Sequence, residues 1–116
     1  MKVLVTGSRY WKDKEAIRQK LVELKPDIVI HGGANGADKL AGVVAAELGI
    51  EVKVFPAEWD RYGPFAGTLR NIQMLKDEPD RVLAFPLPDS RGTIHMIKIA
   101  RQKGIPVEVI RVDKTS

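Results

Sequence analysis

The residues best equipped for chemistry fall in four short clusters: TGSRYW at 6–11, HGGANGAD at 31–38, PAEWDRYGP at 56–64 and PDSRGT at 88–93. In the first, Gly7 permits a sharp turn, Ser8 carries a hydroxyl, and Arg9 offers a fork of N–H donors matched to phosphate or carboxylate. The bland alternative is a turn with a solvated arginine. In the second, Gly32, Gly33 and Gly36 lead from an apolar run into a helical pattern, where unpaired amides and the helix dipole point at one spot and favour an anion. The same glycines also suit a tight strand-to-helix turn and nothing more. In the fourth, Ser90, Arg91, Gly92 and Thr93 precede a helix, so hydroxyls and fresh amides can hold a phosphate while Arg91 neutralises it. Ser90 or Thr93 serves equally well as an ordinary N-cap.

Other residues support these clusters. Asp38 falls in a first helical turn, where a carboxylate complements the dipole or reaches a ribose hydroxyl. Trp59 and Tyr62 are aromatic in a chain with only 6% aromatics. Their rings can stack on a base, with Arg61 beside them, or cover the edge of the core. Arg70 and Asn71 become polar anchors if their helix faces the crevice. The only nearby groups able to move a proton are Glu58, Asp60, Asp38 and His95. His31, at a strand end, reads as a hydrogen-bonded neighbour of the site. No Ser-His-Asp order or metal-ligand cluster stands out, and no metal site is expected.

Short apolar runs must position these clusters. KVLV (2–5), DIVIH (27–31), EVKVF (51–55), RVLAF (81–85) and PVEVI (106–110) read as strands. VLV, IVI and VLAF are continuous, as in strands covered on both faces. Helical patterns lie between them at 13–24, 37–48, 65–76 and 93–103. This alternation predicts an α/β fold: one Rossmann-like three-layer domain over 1–116, with about five parallel strands and helices on both faces. Clusters one to four follow strands one to four, at the ends where open parallel sheets bind ligands. With the strands ordered 3-2-1-4-5, clusters one and four flank the switch point. The nine residues at 56–64 form the longest irregular stretch, a length more often functional than not.

Composition narrows the classes. The chain has 116 residues, 44% of them apolar, enough for a real core without staples. It has no cysteine, which excludes disulfides, thiolate metal sites and a cysteine nucleophile. The first apolar run is too short for a signal peptide and nothing approaches membrane-spanning length, so a cytoplasmic protein without membrane partners is expected. Nineteen Lys and Arg against fifteen Asp and Glu give +4. That suits an anionic ligand, but the basic residues are scattered, which argues against nucleic acid. The Ala/Val-rich stretch 37–48 suits a homodimer contact or a buried crossover helix.

Together, TGSRYW, HGGANGADKLA, FPAEWDRYGPFAGTLRNIQM and FPLPDSRGTIHMIKIA, followed by GIPV, resemble the SLOG superfamily, best its YspA/YpsA-related branch. The resemblance runs from Val3 to about Val109. It implies binding of a nucleotide or nucleotide-derived small molecule, often for sensing in phage conflict or stress; AMP, ADP-ribose and NAD-derived ligands are the expected kinds. Related branches imply two alternatives: the LOG phosphoribohydrolases, which release a base from nucleoside monophosphates, and the DNA-processing DprA proteins. LOG enzymes carry PGGxGTxxE with a catalytic glutamate. Gly92 and Thr93 match that motif, but Met96 stands at the glutamate position and can do no acid-base chemistry. Relatives commonly carry an acidic residue where this chain has His95.

Overall fold

The computed structural model describes residues 1–88 and 90–111. Five strands, β1 (Lys2–Gly7), β2 (Ile28–His31), β3 (Glu51–Val54), β4 (Arg81–Phe85) and β5 (Val107–Val109), form one sheet in the order β3-β2-β1-β4-β5. Every pairing is parallel, with Leu4 opposite Ile30 on one side and Val82 on the other. The unbroken apolar runs occupy the centre: Val3, Leu4 and Val5 in β1, Val29 and Ile30 in β2, and Val82 to Phe85 in β4 are fully buried. The sequence EVKV, with polar residues alternating, forms the partly exposed edge strand β3.

Helices α1 (Lys14–Leu24) and α2 (Ala37–Glu47) cover one face, packing Ile17, Leu21, Ala41 and Val44 against Val3, Val5 and Val29. Helices α4 (Ala66–Lys76) and α5 (Arg91–Gln102) cover the other, where Met74, Leu75, Met96 and Ala100 meet Leu4, Ile30 and Val82. The winding therefore reverses between β1 and β4, which makes that gap the topological switch point. Local chemistry sets the helix limits. Asp13 accepts a hydrogen bond from the Ala16 N–H at 3.0 Å and starts α1. Lys25 ends it in the left-handed region at φ 49°, just before Pro26.

The stretch 56–64 departs from the expected irregular loop. It contains the single helical turn α3 (Trp59–Tyr62), followed by a 3₁₀ turn over Gly63–Phe65 that runs into α4. Pro64 fits that turn because a first-turn residue needs no N–H. The sequence alone conceals it, since a four-residue helix shows no period. Helix α5 also begins two residues earlier than expected, at Arg91. Among the described residues, no helix is long and apolar enough to cross a membrane.

Candidate functional site

Over the switch point lies a cleft of about 490 Å³. Loop one contributes Gly7, Ser8, Arg9 and Tyr10, α4 contributes Arg70, Asn71 and Met74, and the head of α5 contributes Ser90, Arg91, Gly92 and Thr93. Ala34 and Asp38 complete the wall from the second loop. Four segments far apart in sequence thus meet at one opening, because each follows a strand or faces the strand ends from α4.

Loop one is held rigidly. Trp11 is buried edge-on against Phe85, with ring centroids 5.2 Å apart, and its Nε1–H donates to the Asp13 carbonyl at 2.9 Å. The Ser8 N–H donates to the Phe85 carbonyl, and the Ser8 carbonyl accepts from both Trp11 and Ala37. Gly7 must lack a side chain, since a Cβ would lie 2.5 Å from Ala37 Cβ and 2.7 Å from the Phe85 carbonyl. Arg9 and Tyr10 consequently project from a fixed base.

Ser8 and Ser90 do the same work on opposite sides of the cleft. Ser8 Oγ accepts from the Tyr10 N–H and Ser90 Oγ from the Leu87 N–H, each at 3.0 Å. Both serines are buried and line the cleft, and each O–H remains a donor. Because Ser90 Oγ is turned to Leu87, it makes no capping bond to α5, so the alternative reading of its hydroxyl as an ordinary N-cap does not hold. Thr93 stands inside the helix and caps nothing. Arg91, Gly92 and Thr93 line the cleft, and their amides have no backbone acceptor among the described residues, the condition under which a helix head attracts an anion.

The glycine turn behaves differently. The Gly32 N–H donates to Asp38 Oδ2 at 3.0 Å, the Ala34 N–H to the same oxygen at 3.4 Å, and the Gly33 N–H to His31 Nδ1 at 3.0 Å. Of the glycines expected to share a phosphate cradle with Ser90 to Thr93, Gly32 and Gly33 have their amides engaged inside the protein and line a depression beside the main cleft, and Gly36 lines neither space. Gly36 is a glycine for packing. Its φ is 78°, and a Cβ would overlap the Ser8 carbonyl oxygen. Asp38 does not cap α2; its Oδ2 ties the turn to its helix, and the residue lines the cleft.

Electrostatics at this wall centre on Asp38 and Arg70. A Cβ on Gly32 would overlap Arg70 Nη1 and sit 2.9 Å from Asp38 Oδ2, so guanidinium and carboxylate share the space over that glycine. Arg70 Nη1 donates to the Gly32 carbonyl at 2.7 Å. Burial pushes the Asp38 carboxyl up to about 6, with Arg70 and the two amides opposing the shift only in part. Burial also lowers the pKa of His31, helped by Arg70, so His31 stays neutral with Nδ1 accepting from Gly33.

The profile of the YspA, cpYpsA-related SLOG family matches residues 1–62. The gene 61 protein of Mycobacterium phage D29 is 40% identical to this chain, in an alignment covering 91% of this chain and 93% of that protein. The chain belongs to this SLOG family. Membership implies a nucleotide-related binding domain, and the profile spans loops one and two and the α3 turn, all of which sit over the strand ends.

Within this SLOG domain the remaining expected residues separate clearly. Arg9, Asp38, Arg70, Asn71, Ser90, Arg91, Gly92 and Thr93 come together in the cleft. Asn71 is buried and clamps the α5 head: its Nδ2 donates to the Gly92 carbonyl at 3.2 Å and lies 3.0 Å from His95 Nδ1. His95 therefore faces Asn71 and does not itself line the cleft. Glu58 is exposed at the start of α3 and also lines no part of it. Tyr62 is engaged by Arg61, whose guanidinium lies 5.1 Å from its ring centroid, and is absent from the cleft walls. Trp59 lines an adjoining depression instead. Asp60, like Glu58, is exposed on the α3 turn. Met96, at the LOG glutamate position, is fully buried in the core.

Sequence reasoning missed Tyr10, which is 71% exposed and lines the main cleft. Its position directly after Arg9 in a glycine turn was the available signal. Met74 was also missed as a wall residue, because a methionine on a helical stripe reads simply as core.

Proposed function

We propose that this SLOG domain binds, and thereby senses, a nucleotide or nucleotide-derived small molecule of the AMP, ADP-ribose or NAD-derived kind in the cleft over the β1/β4 switch point. One observation carries the reading: the head of α5, which the Ser90 side chain does not cap, lines the same cleft as Arg9. The phosphate lies on the amides of Arg91 to Thr93, with the Ser8 and Ser90 hydroxyls as further donors. Asn71 holds the α5 head in register, and Tyr10 offers a ring beside the opening. The volume is within the range of small-molecule sites, roughly 300–1,000 Å³.

Thermal denaturation against mono-, di- and cyclic nucleotides, ADP-ribose and NAD tests this. A ligand at a hundred times its Kd adds about 2.7 kcal/mol of stability. Arg91→Ala is expected to remove most of that gain without lowering the melting temperature of the free protein. A panel in which nothing shifts the melt, with Arg91→Ala indistinguishable from the parent, sinks the reading.

Asp38 supports a second reading, hydrolysis of an N-glycosidic bond. It is the one carboxylate on the cleft wall among the described residues, and its pKa of about 6 suits proton transfer near neutrality. Release of free base from a nucleoside monophosphate, abolished by Asp38→Asn, is the expected result. Base release no faster than in buffer removes it.

A further inference from the structure

Beside the main cleft a second depression, of about 340 Å³, opens between the Gly32–Asn35 turn and the start of α3. Pro56, Ala57 and Trp59 form its outer wall, while Arg9, Ala34 and Arg70 line both volumes. The two spaces therefore adjoin across a ridge carrying two guanidinium groups. Main-cleft binding of a phosphate leaves Trp59 and Arg70 unused, and Arg9 stands where it can serve both spaces.

Trp59 is 56% exposed, although the chain's other tryptophan, Trp11, is buried in the core. Its ring edge rests over Gly67 of α4, where even an added Cβ would lie 3.5 Å from Cη2, so the indole is seated rather than loose. Arg70 Nη1 is anchored on the Gly32 carbonyl, yet its Nε–H is buried with no acceptor among the described residues. A buried donor of this kind calls for a partner. Arg9 has no ion-pair partner among the described residues and stands exposed on the ridge.

We infer that this annex is a second subsite, and that the ligand is two-lobed: a nucleoside diphosphate whose distal phosphate carries another ring. The inference rests on the reading that the main cleft takes a nucleotide phosphate. One lobe occupies the main cleft with its phosphate on the α5 head. The linking phosphate crosses the ridge, where the Arg9 and Arg70 guanidiniums neutralise it. The second ring lies against the indole of Trp59, a flat apolar face suited to stacking. A mononucleotide fills one volume only and leaves that indole uncovered.

Calorimetric titration of the full chain with AMP, ADP, ADP-ribose and NAD, with tryptophan emission followed in parallel, tests the assignment. ADP-ribose or NAD is expected to bind at least tenfold more tightly than ADP and to change Trp59 emission, whereas AMP leaves emission unaltered. Trp59→Ala is expected to erase that tenfold difference and leave AMP affinity intact, and Trp59→Phe to restore part of it. The ADP-ribose and NAD arms separate a sugar from a base as the second ring. A gain already complete with ADP, or equal affinities with silent Trp59 emission, overturns the second subsite and leaves the proposed function standing. Failure of all four to bind overturns both.

Discussion

Two helix heads face the strand ends, and they have opposite fates. The head of α2 follows HGGANG, and α5 follows PDS and opens on Arg91 and Gly92; in sequence both are glycine-bearing strand-to-helix junctions. At α2 the protein supplies its own anion: Asp38 Oδ2 accepts from Gly32 and Ala34, and the Ala37 N–H donates to the Ser8 carbonyl. At α5 the serine that could cap the helix serves the preceding loop, and among the described residues the first amides have no other acceptor while their residues line the cleft. The glycines differ in the same sense. A methyl on Gly36 overlaps the Ser8 carbonyl, whereas one on Gly92 meets no protein atom within 4 Å. A glycine-rich turn therefore does not in itself mark an anion site; what matters is whether the protein already fills the space that the glycine leaves.

Four substitutions can break or sharpen that contrast. The largest effect belongs to Gly36→Ala, which forces a side chain into backbone at a strongly positive φ. It is expected to cost about 3 kcal/mol or more in chemical denaturation. A loss below about 1 kcal/mol would show that the α2 head is not tightly packed against loop one.

Next is Asp38→Asn, which removes the buried charge while keeping an oxygen acceptor for the Gly32 amide. Folding raises the Asp38 pKa from its ordinary value near 4 to about 6. The folded state therefore holds this proton more tightly, and the contribution is fully present below pH 4 and lost as pH rises through 6. Stability of the parent relative to Asp38→Asn is expected to fall by about 2 kcal/mol between pH 4 and 7. Parallel pH profiles from denaturant titrations would dismiss the buried-charge account. The exposed groups Asp27 and Glu47 titrate in the opposite sense, their pKa values lowered chiefly by bonds to the N-terminal amine and Lys14, and they cancel in this difference.

Asn71→Ala should cost about 1 kcal/mol, because it removes the side-chain bonds to the Gly92 carbonyl and the His95 ring. Hydrogen exchange is expected to quicken at the α5 head and remain unchanged at the α2 head. The smallest stability effect is expected for Gly92→Ala: unchanged, or stabilised by up to about 0.5 kcal/mol through helix propensity. Nucleotide affinity in the same variant is expected to drop about tenfold, equivalent to about 1.4 kcal/mol. Unaltered affinity would mean that the ligand does not approach the α5 head.

Much of this architecture was legible beforehand. VLV, IVI and VLAF announced the three central strands because a strand buried on both faces leaves no polar position. The clustering of Gly7, Ser8, Arg9 and Ser90 to Thr93 at strand ends was legible for the same reason: the β-α alternation dictates which loops share an end of the sheet. The use each residue makes of its position was not. Glu58, Tyr62 and His95 lie in the expected neighbourhood but do not line the main cleft: Glu58 is exposed on the α3 turn, Tyr62 lies under Arg61, and His95 meets Asn71. Tyr10 went unweighed because exposure and direction depend on how Trp11 anchors the loop.

The order and composition of short apolar runs alone determined that the chain forms a parallel, doubly covered sheet with its polar loops gathered at one end, since hydrophobic burial depends on pattern and not on exact partners. Tertiary structure decided which of two similar glycine turns remains open. Hydrogen-bond satisfaction is settled by distances of a few tenths of an ångström between segments far apart in the chain, and no spacing of residues along the sequence encodes whether Ser90 will cap its own helix or serve Leu87.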